Sequence, residues 1–193
     1  MEQAVNSGKY YNAPLMPLLV TGTIGIDTVE TPTASAQGVS GGSCAYFAAA
    51  AAFHHNPIRI VGAVGGDWPA EHKAILESID GLCLDGLEER SESKTFAWGG
   101  KYFDNMNERE TLFTELGVLE EAPPIIPDCY KDSRFIFLAN SHPSIQLDLL
   151  NNFPNRKLAV ADTMDLWINI ANDELHELFK HIDGLVINDS EAQ

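Results

Sequence analysis

The chain has 193 residues, the length of one domain or of one domain and part of another. Hydrophobic residues make up 45% of the sequence, enough for a core, so a wholly disordered chain is excluded. The formal net charge of −16 argues against a nucleic-acid partner, because the phosphate backbone would be repelled.

The chain opens on residues 1–16, which lack the basic start and long apolar run of a signal peptide. We interpret them as a flexible leader. No stretch of the sequence reaches the length of a membrane span. The three cysteines, Cys44, Cys83 and Cys129, lack the spacing of a metal site and indicate free thiols in a reducing compartment. We therefore expect a cytoplasmic protein without a membrane partner.

Short apolar runs typical of buried strands then alternate with segments that predict helices. In chain order, the first predicted elements are strand 17–24 with residues 26–30 as its extension, loop 31–42, helix 43–54, strand 58–64 and helix 69–79. Alanine fills much of the first helix, so this helix can lie close against a sheet.

The pattern changes in the middle of the chain, where aromatic residues and threonine become frequent. Residues 94–103 and 110–116 are separated by a polar turn, which predicts an antiparallel hairpin. We expect this hairpin, about residues 93–116, to form a small β lid on the rest of the fold.

The remaining elements return to the earlier alternation. After a proline-rich loop they are strand 134–140, helix 144–153, strand 157–162, helix 172–181 and strand 184–188. Strands that alternate with helices predict an α/β fold with an open, mostly parallel sheet covered by helices on both faces.

Two adjacent glycines, Gly41 and Gly42, stand directly before the alanine-rich helix. Bare glycine backbone lets the hydroxyl groups of a ligand approach the main chain, although a plain turn explains the same pattern. Asp27 is predicted just beyond the end of the first strand, where open α/β sheets bind ligands. Its carboxylate can accept hydrogen bonds from a polyol or cap a turn. Asp162 and Asp165, which follow a later strand, can likewise contact a ligand or cap a loop.

The stretch VGAVGGD at residues 61–67 follows a buried strand and precedes a helix. It does not match the GxGxxG fingerprint of dinucleotide-binding proteins, and the chain contains no GxxxxGK[ST] phosphate loop. A Rossmann oxidoreductase and a P-loop NTPase are therefore both disfavoured.

These motifs, taken in order, resemble the PfkB family of carbohydrate kinases, which have the ribokinase-like fold. TGTIGID resembles the first strand of the family with its acceptor-binding aspartate, here Asp27, and GGSCAYFA resembles its diglycine signature at Gly41 and Gly42. VGAVGGD resembles the VGxVGxD stretch of the family. INDSEA resembles its N-x-x-E motif, with Asn188 and Glu191.

The resemblance implies an enzyme that transfers the γ-phosphoryl group of ATP to a hydroxyl of a sugar or sugar-like small molecule. It implies that Asp27, Gly41 and Gly42 position this acceptor and that the lid closes over it. It also implies that Asn188 and Glu191 organise Mg²⁺ through water molecules beside the phosphates, although helix capping alone explains both residues. Pairing of lids between subunits would make the complete protein a homodimer.

Tyr46 is the first departure from the family pattern. It stands where the first signature commonly has an asparagine that reads acceptor hydroxyls, and its ring can stack on a sugar or base or fill the core. A nucleoside kinase of the same fold is therefore an alternative.

The second departure concerns the catalytic base. The second signature of the family, a glycine-rich turn with the catalytic aspartate, has no match in this sequence. The resemblance therefore implies that the base lies beyond Gln193, and we expect no catalytic residue among residues 1–193. We expect residues 17–193 to be the N-terminal part of a kinase domain and to be inactive alone. A non-catalytic binding module is the remaining alternative.

Overall fold

The computed structural model describes residues 16–192, so the predicted leader lies outside the described residues apart from Met16. Within this range the chain forms ten strands and five α-helices. The strands are β1 (Leu18–Thr21), β2 (Gly25–Glu30), β3 (Ser35–Gly41), β4 (Ile58–Gly65), β5 (Leu82–Arg90), β6 (Phe96–Tyr102), β7 (Arg109–Glu115), β8 (Phe135–Leu138), β9 (Leu158–Asp162) and β10 (Gly184–Val186). The helices are α1 (Ser43–Ala52), α2 (Ala70–Glu77), α3 (Pro143–Leu150), α4 (Asp165–Ile170) and α5 (Asn172–Phe179).

Six of the strands form one sheet in the order β10-β9-β8-β1-β4-β5. Every neighbouring pair in this sheet is parallel, which confirms the predicted parallel sheet. All the carboxyl ends of its strands consequently point to the same edge. Parallel strands of an open sheet place their ligand sites at that edge.

Helices cover both faces of this sheet, also as predicted. Along β1 successive side chains point to opposite faces. Leu19 packs in the cluster that contains the leucines of α3 and α5, whereas Val20 packs in the cluster that contains α1. The small side chains of Ala45 and Ala48 are buried in this second cluster, so α1 lies close against the sheet.

The other four strands form a second sheet, the lid sheet, in the order β3-β2-β6-β7. Strands β6 and β7 are antiparallel, which confirms the predicted hairpin, while β2 pairs parallel with β6 and antiparallel with β3. Two sequence predictions were wrong here. Residues 26–30 do not extend β1, and residues 35–41, predicted as loop, form a strand.

The chain leaves the first sheet at Gly22, which explains why β1 is so short. Gly22 has a φ of +135°, and a Cβ at this position would lie 2.2 Å from the carbonyl oxygen of Ala139. The backbone therefore turns away after Thr21 and enters the lid sheet as β2.

Two further elements, β5 and α4, were not predicted. In addition, the chain after β10 forms a turn at residues 189–192, in which the N–H of Ala192 donates to the carbonyl oxygen of Asn188 at 3.2 Å. Among the described residues, no helix combines the length and the apolar character that a membrane crossing requires.

Candidate functional site

A cavity of about 520 Å³ lies where the lid sheet faces the carboxyl ends of the parallel strands. We call it the lid cavity. From the large sheet it is lined by Thr23 after β1, Asn140 after β8 and Asp162 at the end of β9. From the lid sheet, Asp27 and Trp98 are among the lining residues. Its position is the one that open α/β sheets use for ligands.

Asp27 projects into this cavity from β2, and so belongs to the lid sheet rather than to the end of β1. Its Oδ1 atom is buried and has no hydrogen-bond partner among the described residues. Burial raises the pKa of this carboxyl from 3.8 to about 6. A buried acceptor without a donor is unfavourable, and a ligand hydroxyl in the cavity would supply the missing donor.

The two glycines lie at close contacts: Gly41 makes room for the Asp27 carboxylate, and Gly42 makes room for the backbone of Thr23. A Cβ at Gly41 would lie 2.2 Å from Oδ1 of Asp27, so no other residue fits there without moving Asp27. Gly42 has a φ of +89°, and a Cβ on it would lie 2.3 Å from the carbonyl oxygen of Thr23. That carbonyl accepts a hydrogen bond of 3.0 Å from the N–H of Cys44 at the start of α1. The structure therefore brings Asp27, Gly41 and Gly42 together.

Tyr46 does not join this group. It does not line the lid cavity, the residue is 63% exposed, and its hydroxyl donates a 2.8 Å hydrogen bond to the carbonyl oxygen of Ser40. The ring is therefore neither in the cavity nor in the core, the two positions that the sequence left open.

Asp162 is a second carboxyl group with an unused oxygen in the lid cavity. Its Oδ1 atom is buried without a partner in residues 16–192, which argues against a loop-capping role for that oxygen. Burial raises the pKa of Asp162 to about 7, and the nearby charge of Glu191 adds to the rise. The side-chain amide of Gln146 donates to the Asp162 carbonyl oxygen at 3.1 Å and fixes the end of β9. Asp165 also lines the lid cavity and forms an ion pair of 3.6 Å with Arg109 of the lid sheet.

Asn140 connects the walls of the cavity and was missed by the sequence analysis. Its backbone N–H donates to the hydroxyl of Ser43 at 2.9 Å, and its carbonyl accepts a bond from the Thr23 hydroxyl. The buried indole of Trp167 donates to its side-chain oxygen at 2.9 Å. Asn140 is the first polar residue after the apolar residues 135–139, which is the only signal that the sequence carries for it.

Asn188 and Glu191 cap one another. The N–H of Glu191 donates to Oδ1 of Asn188 at 2.9 Å, and the N–H of Asn188 donates to Oε2 of Glu191 at 3.1 Å. This reciprocal pair is a capping box. The capping box uses only Oε2 of the Glu191 carboxylate. Glu191 also lies close enough to Asp162 for its charge to raise the pKa of Asp162.

The catalytic base of the predicted kinase was expected beyond Gln193. Gln193 itself lies outside the described residues, which end at residue 192. The position of the base is therefore untested and stays a prediction. Of the residues predicted to position the acceptor, Asp27 and Gly42 line the lid cavity, and Gly41 lies against the Asp27 carboxylate.

The residues around Glu191 fit a magnesium ion only in part. Within residues 16–192, no group of three His, Cys, Asp or Glu side chains could hold a metal ion directly. The available donors are oxygen atoms, which magnesium prefers, and magnesium usually retains several of its water ligands. The fit is therefore to an ion held mainly by water and phosphate.

The VGAVGGD stretch has a structural role at the base of the lid. Oδ1 of Asp67 accepts a 2.7 Å hydrogen bond from the N–H of Thr95, just before β6, and Asp67 pairs with Lys94 at 3.4 Å. Burial alone would raise the pKa of Asp67, but these two contacts outweigh it and lower the pKa. A Cβ on Gly65 or Gly66 would lie 2.4 Å from the backbone of residues 91–95. The motif thus joins β4 to the lid sheet.

The parallel sheet, the small second sheet and the cavity between them define a ribokinase-like fold. The structure is similar to a ribokinase from Cryptococcus neoformans var. grubii serotype A in complex with ADP, with a TM-score of 0.75, 21% identity, and coverage of 93% of this chain and 58% of that one. It is also similar to a nucleoside kinase from Methanocaldococcus jannaschii, an archaeal member of the ribokinase family, with a TM-score of 0.70, 17% identity, and coverage of 92% and 62%. The predicted fold is therefore confirmed.

In sequence, the chain is 27% identical over 147 residues to a cytidine kinase from Thermococcus kodakarensis. The match covers 76% of this chain and 51% of that protein. No family model matches the sequence. The chain thus spans about half the length of this relative and about 60% of the length of the similar structures.

Proposed function

We propose that the whole protein transfers the γ-phosphoryl group of ATP to a hydroxyl of a sugar or nucleoside bound in the lid cavity. The observation that carries this proposal is the buried oxygen of Asp27, which lies against Gly41 in the lid cavity and has no hydrogen-bond partner in the part of the chain that the structure describes. The similarity to a ribokinase and to two nucleoside kinases supports it.

Asp27 would hold the acceptor by accepting hydrogen bonds from its hydroxyl groups. A hydrogen bond to a charged group contributes about 1.5–3 kcal/mol, so one or two such bonds contribute substantially to the binding free energy of the acceptor. The lid sheet would cover the acceptor and exclude water from the transferred phosphoryl group. Phosphoryl transfer depends mainly on such positioning and on charge neutralisation.

ATP would lie beside the Asn188–Glu191 turn. A second opening of about 340 Å³ is lined by Asp189 and Ser190 of this turn and shares Arg109 with the lid cavity. Magnesium, when bound, would neutralise the phosphate charge, and Glu191 would hold it through water molecules. A cytoplasmic location, where ATP is available, belongs to the same proposal.

The acceptor site can be tested by calorimetry on the purified protein with a panel of sugars and nucleosides. We expect Asp27→Asn to weaken the best ligand by about tenfold or more, since the amide is a poorer acceptor than the carboxylate. Asp104→Asn, which alters an exposed aspartate at the tip of the lid hairpin, is the matched control and should leave the affinity unchanged. Equal affinities for the native protein and Asp27→Asn would contradict the proposed site.

Phosphoryl transfer needs a separate assay with ATP and the same panel. We expect the polypeptide of residues 1–193 to bind the acceptor without phosphorylating it, because the second family signature has no match in this sequence. Phosphorylated product formed by this polypeptide would contradict that expectation, and with it the placement of the base beyond Gln193. Absence of product from the whole protein would favour the non-catalytic binding module.

A homodimer of the complete protein is part of the proposal as well. Strands β3 and β7 are the outer strands of the lid sheet, and exposed sheet edges can pair with another copy. A molar mass in solution equal to that of one chain would contradict a dimer.

A further inference from the structure

Trp98 occupies the middle of the lid sheet, directly beside Asp27. In the parallel pairing of β2 with β6, Trp98 is the register partner of Asp27, and in the pairing of β6 with β7 it is the partner of Thr114. Register partners on neighbouring strands project from the same face of a sheet. All three residues accordingly line the lid cavity.

The indole ring of Trp98 packs against Gly100, which has no side chain. A Cβ on the buried Gly100, two residues further along β6, would lie 2.0 Å from Cη2 and 2.5 Å from Cζ2 of this ring. The six-membered part of the indole therefore rests against the backbone of Gly100. The indole N–H donates to the hydroxyl of Thr111 at 3.4 Å, which fixes the ring from its other end.

The aromatic surface continues along the same strand. Phe96 and Tyr102, at even spacing from Trp98 on β6, also line the cavity. Alternate residues of a strand share a face, so the three rings follow one another along the cavity wall. Of the three, Trp98 is the register partner of Asp27. The cavity thus combines a hydroxyl-binding carboxylate with a flat apolar surface one strand away.

We propose that the acceptor is a nucleoside, whose sugar hydroxyls bind Asp27 and whose base stacks on the indole ring of Trp98. Neighbouring strands lie about 4.8 Å apart. This offset is similar to that between the sugar ring and the base of a nucleoside, so both contacts can form at once. A free monosaccharide, which has no base, could offer only its sugar ring to the indole. Trp98 therefore takes the stacking role that the sequence suggested for Tyr46.

This inference rests on the proposed acceptor site and is tested by calorimetry on the purified protein with cytidine, adenosine and ribose as probes. We expect both nucleosides to bind at least about tenfold more tightly than ribose, because stacking of a base on an aromatic ring contributes a factor of this size. Trp98→Ala should reduce the ratio of nucleoside affinity to ribose affinity to about one. Trp98→Phe, which keeps an aromatic surface, should retain most of the ratio.

Gly100→Ala provides a second test if Trp98→Ala fails to fold. Its added Cβ displaces the indole ring without removing it, so the same ratio of affinities should fall. Ser40→Ala, on the outer strand of the lid sheet and away from the ring, is the control and should keep the native ratio. Circular dichroism establishes that each variant is folded.

Two negative results have different meanings. If nucleosides and ribose bind equally well, and Asp27→Asn weakens both, the inference about the base is overturned while the proposed acceptor site stands. The same holds if folded Trp98→Ala keeps the native ratio. If none of the three probes binds, or Asp27→Asn changes no affinity, the proposed acceptor site itself is overturned.

Discussion

Substitution of Gly41 by alanine is expected to remove acceptor binding while leaving the fold almost unchanged. The added Cβ would lie 2.2 Å from Oδ1, 2.3 Å from Cγ and 2.5 Å from Oδ2 of Asp27. These distances are far inside van der Waals contact, so the carboxylate must move away. Gly41 does not have a positive φ, and the backbone therefore accepts alanine without strain.

The size of the effect follows from the hydrogen bond that is lost. A bond from an acceptor hydroxyl to a charged carboxylate contributes about 1.5–3 kcal/mol, which corresponds to an affinity about 10- to 150-fold weaker. The stability should change by less, about 1 kcal/mol, because the atoms that must shift belong to the end of a side chain whose buried Oδ1 has no partner among the described residues.

The measurement is the dissociation constant of the best acceptor together with the thermal midpoint of unfolding. Ser40→Ala is the matched control, since Ser40 neighbours Gly41 on β3 but projects from the opposite face. We expect native affinity for Ser40→Ala and a large loss for Gly41→Ala at a similar thermal midpoint. Native affinity in Gly41→Ala would refute the idea that Gly41 exists to accommodate the Asp27 carboxylate.

Two further substitutions test two separate effects: the loss of stability caused by burying the Asp162 carboxyl group, and the stabilisation of the lid sheet by Asp67. Burial raises the pKa of Asp162 from 3.8 to about 7, so the folded state retains a proton that the unfolded chain releases, and the free energy of unfolding should fall as the pH rises from about 4 to about 7. Asp162→Asn should remove part of this pH dependence. It should also stabilise the free protein at pH 8 by at most about 4 kcal/mol, since one pKa unit corresponds to about 1.4 kcal/mol. Urea unfolding measures the free energy at each pH, and an unchanged pH dependence in the variant would contradict this prediction. Asp67→Ala removes the acceptor of the 2.7 Å bond from Thr95 and should destabilise the lid by about 1–3 kcal/mol. Faster hydrogen exchange along β6 is the expected result, and native exchange rates would contradict the role of Asp67.

The interior strands of the large sheet were predictable because both of their faces are buried. Strands β1, β4, β8 and β9 are interior strands of the sheet and read as nearly continuous apolar runs. The same apolar runs made the alternation of strands and helices visible, and therefore the parallel sheet.

The strands that escaped prediction are edge strands with little apolar signal. In β3, at the edge of the lid sheet, the first four residues are exposed and polar or small. At the edge of the large sheet, β5 ends in charged residues, which are unfavourable in a strand. Ion pairs stabilise them there: Arg90 pairs with Glu88 at 2.7 Å and with Glu121 at 3.2 Å. Partners so far away in sequence as Glu121 cannot be read from a local pattern.

Some residues of the candidate site could likewise be predicted from the sequence, and others could not. Asp27 and the two glycines were predicted together because they belong to short motifs close in sequence. Asp162 was a candidate because it follows a predicted strand, whereas Asn140 and Trp98 were missed because they reach the lid cavity from separate strands and only the order of the strands brings them there. The direction of the Tyr46 side chain could not be predicted, because it depends on how α1 packs.

The position of a bound acceptor in an experimental structure of the complex is the most direct test. We expect a hydroxyl of the acceptor about 2.5–3.0 Å from Oδ1 of Asp27, within the lid cavity. An acceptor bound elsewhere, with Oδ1 of Asp27 still lacking a hydrogen-bond donor, would contradict the assignment of this cavity.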